Sequence, residues 1–176
     1  METRWKPSVT VAAIVASQID GQTRYLLVEE DTPEGLMLNN PAGHLDPAES
    51  PVQGVVREAL EETARDFAPE YLVGLYMSRF QRMARDGSEP RVVDDVTYLR
   101  FAYAGSVGEP DPQRALDVGI VRTLWMSLDE VRASRSRHRS ALVLRCIEDH
   151  AAGRRYPLDL LNVDASIHSP EIKAPS

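Results

Sequence analysis

The chain has 176 residues, of which 43% are hydrophobic and 27% are charged, a balance that excludes a disordered or fibrous protein and predicts one globular domain. Its 20 Lys and Arg against 27 Asp and Glu give a net charge of −7, which disfavours nucleic-acid polymers and anionic membranes as partners. The single cysteine, Cys146, has no internal disulfide partner, and no apolar run is long enough to cross a bilayer. We therefore expect a cytoplasmic protein.

Two β-branched apolar runs open the chain and predict antiparallel strands at residues 9–16 and 23–29, joined by a turn at Asp20-Gly21. A short third strand is expected at residues 36–38. Turn-forming residues then interrupt the pattern through His44. The beginning of the chain therefore predicts the first strands of a sheet.

The pattern becomes helical after Ser50, which forms a capping-box sequence with Gln53. Pro69 is expected to bound the other end of this helix. One face carries an apolar stripe, which consists of Val52, Val55, Val56, Ala59, Leu60 and Thr63. This stripe predicts the side of the helix that packs on the sheet.

The second half of the chain also shows strand-like patterns followed by helical ones. Strands are expected at 71–80, 95–104 and 119–126, and helices after Ser127 and over 140–152. The first two of these strands form a predicted hairpin around Asp86-Gly87. This order of elements favours an α/β fold of the α+β kind, in which a mixed sheet is flanked by helices as an α/β/α sandwich. The domain is expected at 1–163 and a flexible tail at 164–176.

Three acids of the first predicted helix, Glu58, Glu61 and Glu62, stand at i, i+3 and i+4 and share an arc opposite the apolar stripe. We expect their side chains to face away from the core. Two charges about 4 Å apart repel by roughly 4 kcal/mol at an effective dielectric near 20, so a sheltered cluster favours a cation. Carboxylate oxygens prefer Mg²⁺ or Mn²⁺ to zinc. The alternative is an ordinary solvated helix face, where like charges cost little.

The surroundings of these acids favour the metal site. Gly43, five residues, Glu49, seven residues and Arg57-Glu58-Ala59-Leu60-Glu61-Glu62-Thr63 together resemble the Nudix box of hydrolases that act on nucleoside diphosphates linked to another group. One departure is Ala64, where the family usually has glycine. Because glycine ends or bends a helix there through a left-handed residue, Ala64 predicts that the helix continues for about one turn.

The resemblance implies a hydrolase of phosphoanhydrides that uses Mg²⁺ or Mn²⁺ and attacks with water. It implies a metal site made of Glu58, Glu61, Glu62 and the carbonyl of Gly43, with one of the carboxylates as a candidate base. It also implies that Arg57 belongs to the catalytic machinery and that Glu49, which pairs with Arg57, is structural support. Residues 6–12, 40–45 and 155–158 resemble a bacterial phosphatase branch of the family. That resemblance implies release of phosphate from nucleoside tri- and diphosphates or from the pyrophosphate of a thiamine pyrimidine precursor.

Further residues are candidates for binding a small phosphorylated substrate such as a nucleotide. They are His44 beside the glycine, Arg79 and Arg82 on a predicted strand, and Asp117 in a loop before the last strand. Arg100 on the following strand has the same potential. Each has an ordinary alternative as a loop-fixing histidine, a loop-capping aspartate or an arginine on the wet face of a strand. The basic segment 132–139 either frames an anionic substrate or balances helix and loop charges.

Two rival functions remain open at this point. The first is a pyrophosphohydrolase that cleaves between the α and β phosphates of a nucleoside triphosphate or of a diphosphate of the ADP-sugar type. The second is a nucleotide-sensing binding module on the same fold. The sequence is equally compatible with a monomer and a homodimer.

Overall fold

The computed structural model of the chain describes residues 4–83, 89 and 91–168. Within that part, the strands are β1 (Ser8–Ile19), β2 (Gln22–Thr32), β3 (Gly35–Asn39), β4 (Ala42–His44), β5 (Phe67–Met83), β6 (Val92–Val107) and β7 (Ile120–Ser127). The α-helices are α1 (Pro51–Thr63), α2 (Leu128–Ala133) and α3 (Leu142–Ala151), and short 3₁₀ turns lie at Arg135–Arg137, Leu158–Leu160 and Ala165–His168. The predicted turn at Asp86-Gly87 lies outside the described residues.

The strands form a mixed sheet in the order β3-β2-β1-β6-β5, with β4 also pairing with β1 and β7 with β2. The pair β1 and β6 is parallel and the other pairs are antiparallel. The predicted fold, a mixed sheet flanked by helices, is confirmed. The one unexpected strand is β4, which lies in the predicted turn region and pairs with residues 10–12 of β1.

Alternate side chains of the central strand supply two cores, one on each face of the sheet. Ala13 packs in the cluster that contains Val55 and Ala59 of α1. Its neighbour Ile14 packs in the cluster that contains Val143 of α3. This is the period of two expected for a strand buried on both faces. The central strand thus fixes α1 on one side of the sheet and α3 on the other.

Helix α1 begins as predicted and ends earlier than expected. The Ser50 Oγ accepts from the Gln53 amide at 3.2 Å, and the Gln53 side chain accepts from the Ser50 amide at 2.8 Å, which completes the capping box. The expected extension past Ala64 is wrong, because Ala64 itself adopts the left-handed conformation, with φ 53°, and donates to the Leu60 carbonyl. Pro69 lies within β5 and does not bound the helix.

The end of the described chain returns to the domain. The ring Nδ1 of His168 lies 3.0 Å from the carbonyl oxygen of Ala48. The proposed boundary between a domain at 1–163 and a tail at 164–176 stays a prediction. In the part of the chain that the structure describes, every helix is too short or too polar to traverse a lipid bilayer.

Candidate active site

Arg57 ties the loop after β4 to helix α1. Its Nε and Nη2 atoms donate to the two carboxylate oxygens of Glu49 at 3.0 and 2.7 Å, and Nη2 also donates to the His44 carbonyl at 2.9 Å. Hydrogen bonds from Arg57 lower the pKa of Glu49 despite its burial. The predicted supporting pair of Glu49 and Arg57 is therefore present in the structure.

The remaining guanidinium nitrogen of Arg57 gathers two acids of its own helix. Nη1 donates to Glu58 at 2.8 Å and to Glu61 at 3.0 Å. These carboxylates raise the pKa of Arg57, after the larger effect of Glu49. The arginine thus orients two of the three predicted metal ligands.

Glu58 and Glu62 are buried, which corrects the expectation that the acidic arc faces away from the core. The arc is covered by the loop around β4, since the Ala42 amide donates to Glu62 at 2.8 Å. Burial raises the pKa of Glu62 to about 8, and the nearby charges of Glu30, Glu58 and Asp117 add to this effect while the Ala42 bond opposes it. Burial likewise raises the pKa of Glu58, with Arg57 opposing. Glu61 is the most exposed of the three acids, with 35% of its side-chain surface accessible.

Gly43 lies directly against Glu58. A Cβ atom at this position would lie 2.2 to 2.3 Å from all three carboxyl atoms of Glu58. A side chain here would therefore occupy the space that the carboxylate now fills. The glycine of the motif is required by this close approach of backbone to acid.

Asp117 is brought to the acid cluster from a distant part of the chain. Its amide donates to the Glu61 carbonyl at 3.0 Å, and its charge contributes to the raised pKa of both Glu58 and Glu62. Glu30 of β2 also influences Glu62, and the sequence reasoning missed it. The only signal for Glu30 in the sequence is its place at the end of an apolar strand, which did not separate it from its acidic neighbours.

The structure does not bring Arg79 and Arg82 to this cluster. The Arg79 Nε donates to Asp95 at 2.7 Å, and Arg82 lies 3.6 Å from Asp94. Both pairs are exposed and lie on the part of the β5–β6 ribbon beyond its pairing with β1, which ends at Tyr98. Ion pairing on the ribbon thus satisfies both arginines.

His44 lies at the edge of the site with an exposed ring whose centroid is 6.1 Å from that of Tyr98. The backbone carbonyl of His44 accepts a hydrogen bond from Arg57. The basic segment 132–139 is mostly paired with acids: Arg132 with Glu148, Arg137 with Glu29, and Arg139 with Glu30. These pairs support the charge-balancing interpretation of that segment.

The donor set suits a hard divalent cation. Glu58, Glu61, Glu62 and Asp117 provide oxygen ligands only, and burial, the main cause of the raised pKa of Glu58 and Glu62, disfavours their charged forms unless a cation binds them. Among the described residues, no three His, Cys, Asp or Glu side chains already surround a common point. Glu58 and Glu61 each accept from Arg57 Nη1 through one carboxylate oxygen, so Arg57 leaves the second oxygen of each for a cation.

The chain is similar to known proteins over most of its length. A family model described as NUDIX domain matches residues 8–145. Phosphatase NudJ of Escherichia coli strain K12 is 31% identical over 157 residues, which cover 89% of this chain and 92% of the relative. A solved NUDIX hydrolase from Nitrosomonas europaea is 48% identical, with a TM-score of 0.73, and the match covers 90% of this chain and 98% of that one. The NUDIX domain of Shewanella oneidensis NrtR, solved with ADP ribose, shares the fold at 20% identity and a TM-score of 0.55, covering 85% and 89%.

Proposed function

Because this chain belongs to the Nudix hydrolase family, we propose that it uses a divalent cation to hydrolyse phosphoanhydride bonds of nucleoside tri- and diphosphates or related small pyrophosphates. The observation that carries this proposal is the cluster of acids around α1: Arg57 binds Glu58 and Glu61, and the charges of Asp117 and Glu58 add to the effect of burial in raising the pKa of Glu62. The name of the Escherichia coli relative, a phosphatase, favours release of phosphate.

Each residue of the site has a role in the proposed reaction. Glu58, Glu61, Glu62 and the Gly43 carbonyl would hold Mg²⁺ or Mn²⁺. When bound, such a cation neutralises charge on phosphoryl oxygens and makes water a better nucleophile. Arg57 orients Glu58 and Glu61 through its Nη1 donor, and Glu49 holds Arg57 in place. One of the carboxylates accepts the proton of the attacking water.

The loss of one ligand tests this assignment. We expect Glu61→Gln to lower kcat with ATP and ADP by about 100-fold or more in Mg²⁺ or Mn²⁺. Its folding should change little, since the side chain is partly exposed. Glu70→Gln removes an exposed acid of β5 and serves as the matched control with unchanged turnover. A Glu61→Gln protein with the parental rate would refute the assignment.

Product analysis separates the proposed activity from its rivals. Turnover in ¹⁸O-labelled water should place the label in orthophosphate, because water attacks the terminal phosphorus. Label in a nucleoside monophosphate or in pyrophosphate, with both of these as products, would instead identify a pyrophosphohydrolase. Nucleotide binding by titration calorimetry without turnover in either metal would identify a binding module.

A further inference from the structure

The chain after α3 leads back to the loop that joins β4 to α1. Tyr156 first pairs with Leu72 of β5 through two backbone hydrogen bonds of 2.8 and 2.9 Å. Leu158 then packs against the core on the α1 side of the sheet, as Leu45 of the loop does. The chain after α3 is therefore anchored on the same side of the sheet as the acid cluster.

A short turn at residues 164–168, the C-terminal turn, presents His168 to this loop. The Asp164 Oδ1 accepts from the Ser166 amide at 2.8 Å, which caps the turn. The ring Nδ1 of His168 lies 3.0 Å from the carbonyl oxygen of Ala48. Because a carbonyl oxygen only accepts, Nδ1 carries the proton and is the donor.

The Ala48 carbonyl belongs to the peptide unit that joins Ala48 to Glu49. A peptide unit is planar, so the direction of this carbonyl fixes where the Glu49 Cα atom lies relative to the loop. Ala48 has φ 67°, a left-handed conformation that is unfavourable for a residue with a Cβ atom. Among the described residues, His168 is the one hydrogen-bond partner of this carbonyl. The bond from His168 thus favours a conformation that the loop alone disfavours.

The Glu49 side chain connects this peptide to the metal site. Its Oε1 atom accepts from the Asp46 amide at 2.7 Å and from Arg57 Nη2 at 2.7 Å. Arg57 in turn binds Glu58 and Glu61 through Nη1, as described above. A displaced Glu49 would release Arg57 from the loop, and the two acids would lose their common orientation. A continuous series of contacts therefore leads from the C-terminal turn to two proposed metal ligands.

We infer that His168 is a positioning residue for hydrolysis. Its bond to the Ala48 carbonyl holds the peptide that carries Glu49, and Glu49 holds the arginine that orients the metal ligands. This inference rests on the proposed function of the acid cluster. It extends the functional part of the domain past the expected boundary at residue 163, without assigning His168 any contact with substrate or cation.

Three variants separate the hydrogen bond from the bulk of the imidazole ring. His168→Asn keeps an N–H donor near the position of Nδ1, His168→Phe keeps a ring without a donor, and His168→Ala removes both. With ATP or ADP in saturating Mg²⁺, His168→Phe and His168→Ala should lower kcat about three- to tenfold with little change in KM, whereas His168→Asn should stay within about twofold of wild type. Ser166→Ala, which keeps the backbone donor of the same turn, is the control with unchanged turnover. Wild-type kcat in His168→Phe would overturn the inference.

A double-mutant cycle tests the route through Glu49. In Glu49→Ala, the orientation of the peptide no longer controls the contact with Arg57, so adding His168→Phe should lower kcat by less than about 1.5-fold. An equal loss of kcat in both backgrounds would overturn the inference, because His168 would then act through general stability or by another route.

Amide exchange measures the same coupling without turnover. The Asp46 amide donates to Glu49 and therefore reports whether that carboxylate stays in place. Its exchange should be about threefold faster or more in His168→Phe and unchanged in His168→Asn. The Leu45 amide, bound to the Val9 carbonyl at 3.0 Å, is the internal control, since general loosening would accelerate both amides.

The exchange result separates failure of the inference from failure of the proposed function. If wild type hydrolyses no nucleotide and the Asp46 amide still exchanges faster in His168→Phe, the proposed function is wrong and the coupling of His168 to Glu49 stands. If the Asp46 amide exchanges equally in wild type and His168→Phe, or if the Leu45 amide accelerates as much, the inference is wrong whatever the activity.

Discussion

Two hydrogen bonds join Arg57 and Glu49, one from Nε to Oε2 at 3.0 Å and one from Nη2 to Oε1 at 2.7 Å. The same guanidinium reaches the carbonyl of His44 and the carboxylates of Glu58 and Glu61. A single planar group therefore fixes the loop and the acids relative to each other. Such a fork requires the geometry of arginine in addition to its charge.

We predict that Arg57→Lys lowers kcat at least tenfold, although the charge is retained. One ammonium group cannot make the separate contacts to Glu49, Glu58 and Glu61, so the acids lose their common orientation. The measurement is steady-state turnover of ATP over a range of Mg²⁺ concentrations. Arg145→Lys, at an exposed ion pair, is the control. Full activity in Arg57→Lys would show that charge alone suffices.

Gly43→Ala should inactivate the protein without unfolding it. The added methyl group would overlap the Glu58 carboxylate, and a flexible side chain can move aside where backbone cannot. We therefore expect kcat to fall at least tenfold and the melting temperature to change by only a few degrees. Gly108→Ala places the same methyl group where no atom lies within 4 Å, and should leave both quantities unchanged. Equal activity of the two variants would contradict this account of Gly43.

Local sequence patterns predicted which residues form the site, but they did not predict how deeply those residues are buried or which distant residues lie near them. The capping box at Ser50 and the spacing of the three glutamates depend on residues within one helix, so the sequence determines them directly. The burial of Glu62 depends on β4, whose pairing with β1 joins segments about 30 residues apart. The proximity of Glu30 and Arg100 to Glu62 likewise arises from sheet pairing, which no local pattern encodes.

Ala64→Gly should stabilise the protein. Ala64 has φ 53°, where a Cβ atom costs about 1–2 kcal/mol, and glycine removes that cost while adding some entropy to the unfolded chain. The loss of the buried Ala64 methyl group offsets part of this gain, so we expect the free energy of unfolding to rise by roughly 0.5 kcal/mol or less. Ala152→Gly is the matched control, because Ala152 caps α3 with φ −74° and should lose stability. Urea denaturation of both variants measures the difference, and destabilisation by Ala64→Gly would contradict the prediction.

The Glu62 carboxyl couples stability to pH in the metal-free protein. Burial and then the charges of Glu30, Glu58 and Asp117 raise its pKa from 4.5 to about 8. The folded protein therefore binds more protons than the unfolded chain between these two pH values. Under that condition, the free energy of unfolding decreases as pH rises. The full stability is present below about pH 4.5 and the contribution is lost as pH approaches and passes 8.

We predict that wild type in EDTA unfolds more easily at pH 8 than at pH 5 and that Glu62→Gln loses most of this difference. A residual slope from Glu58, whose pKa is also raised, should remain. The effect is a few kcal/mol, since one pKa unit corresponds to about 1.4 kcal/mol. Urea denaturation at both pH values measures it. Mg²⁺ favours the ionised carboxylates, so it should raise stability more at pH 8 than at pH 5. Parallel pH profiles for wild type and Glu62→Gln would show that Glu62 is not the titrating group.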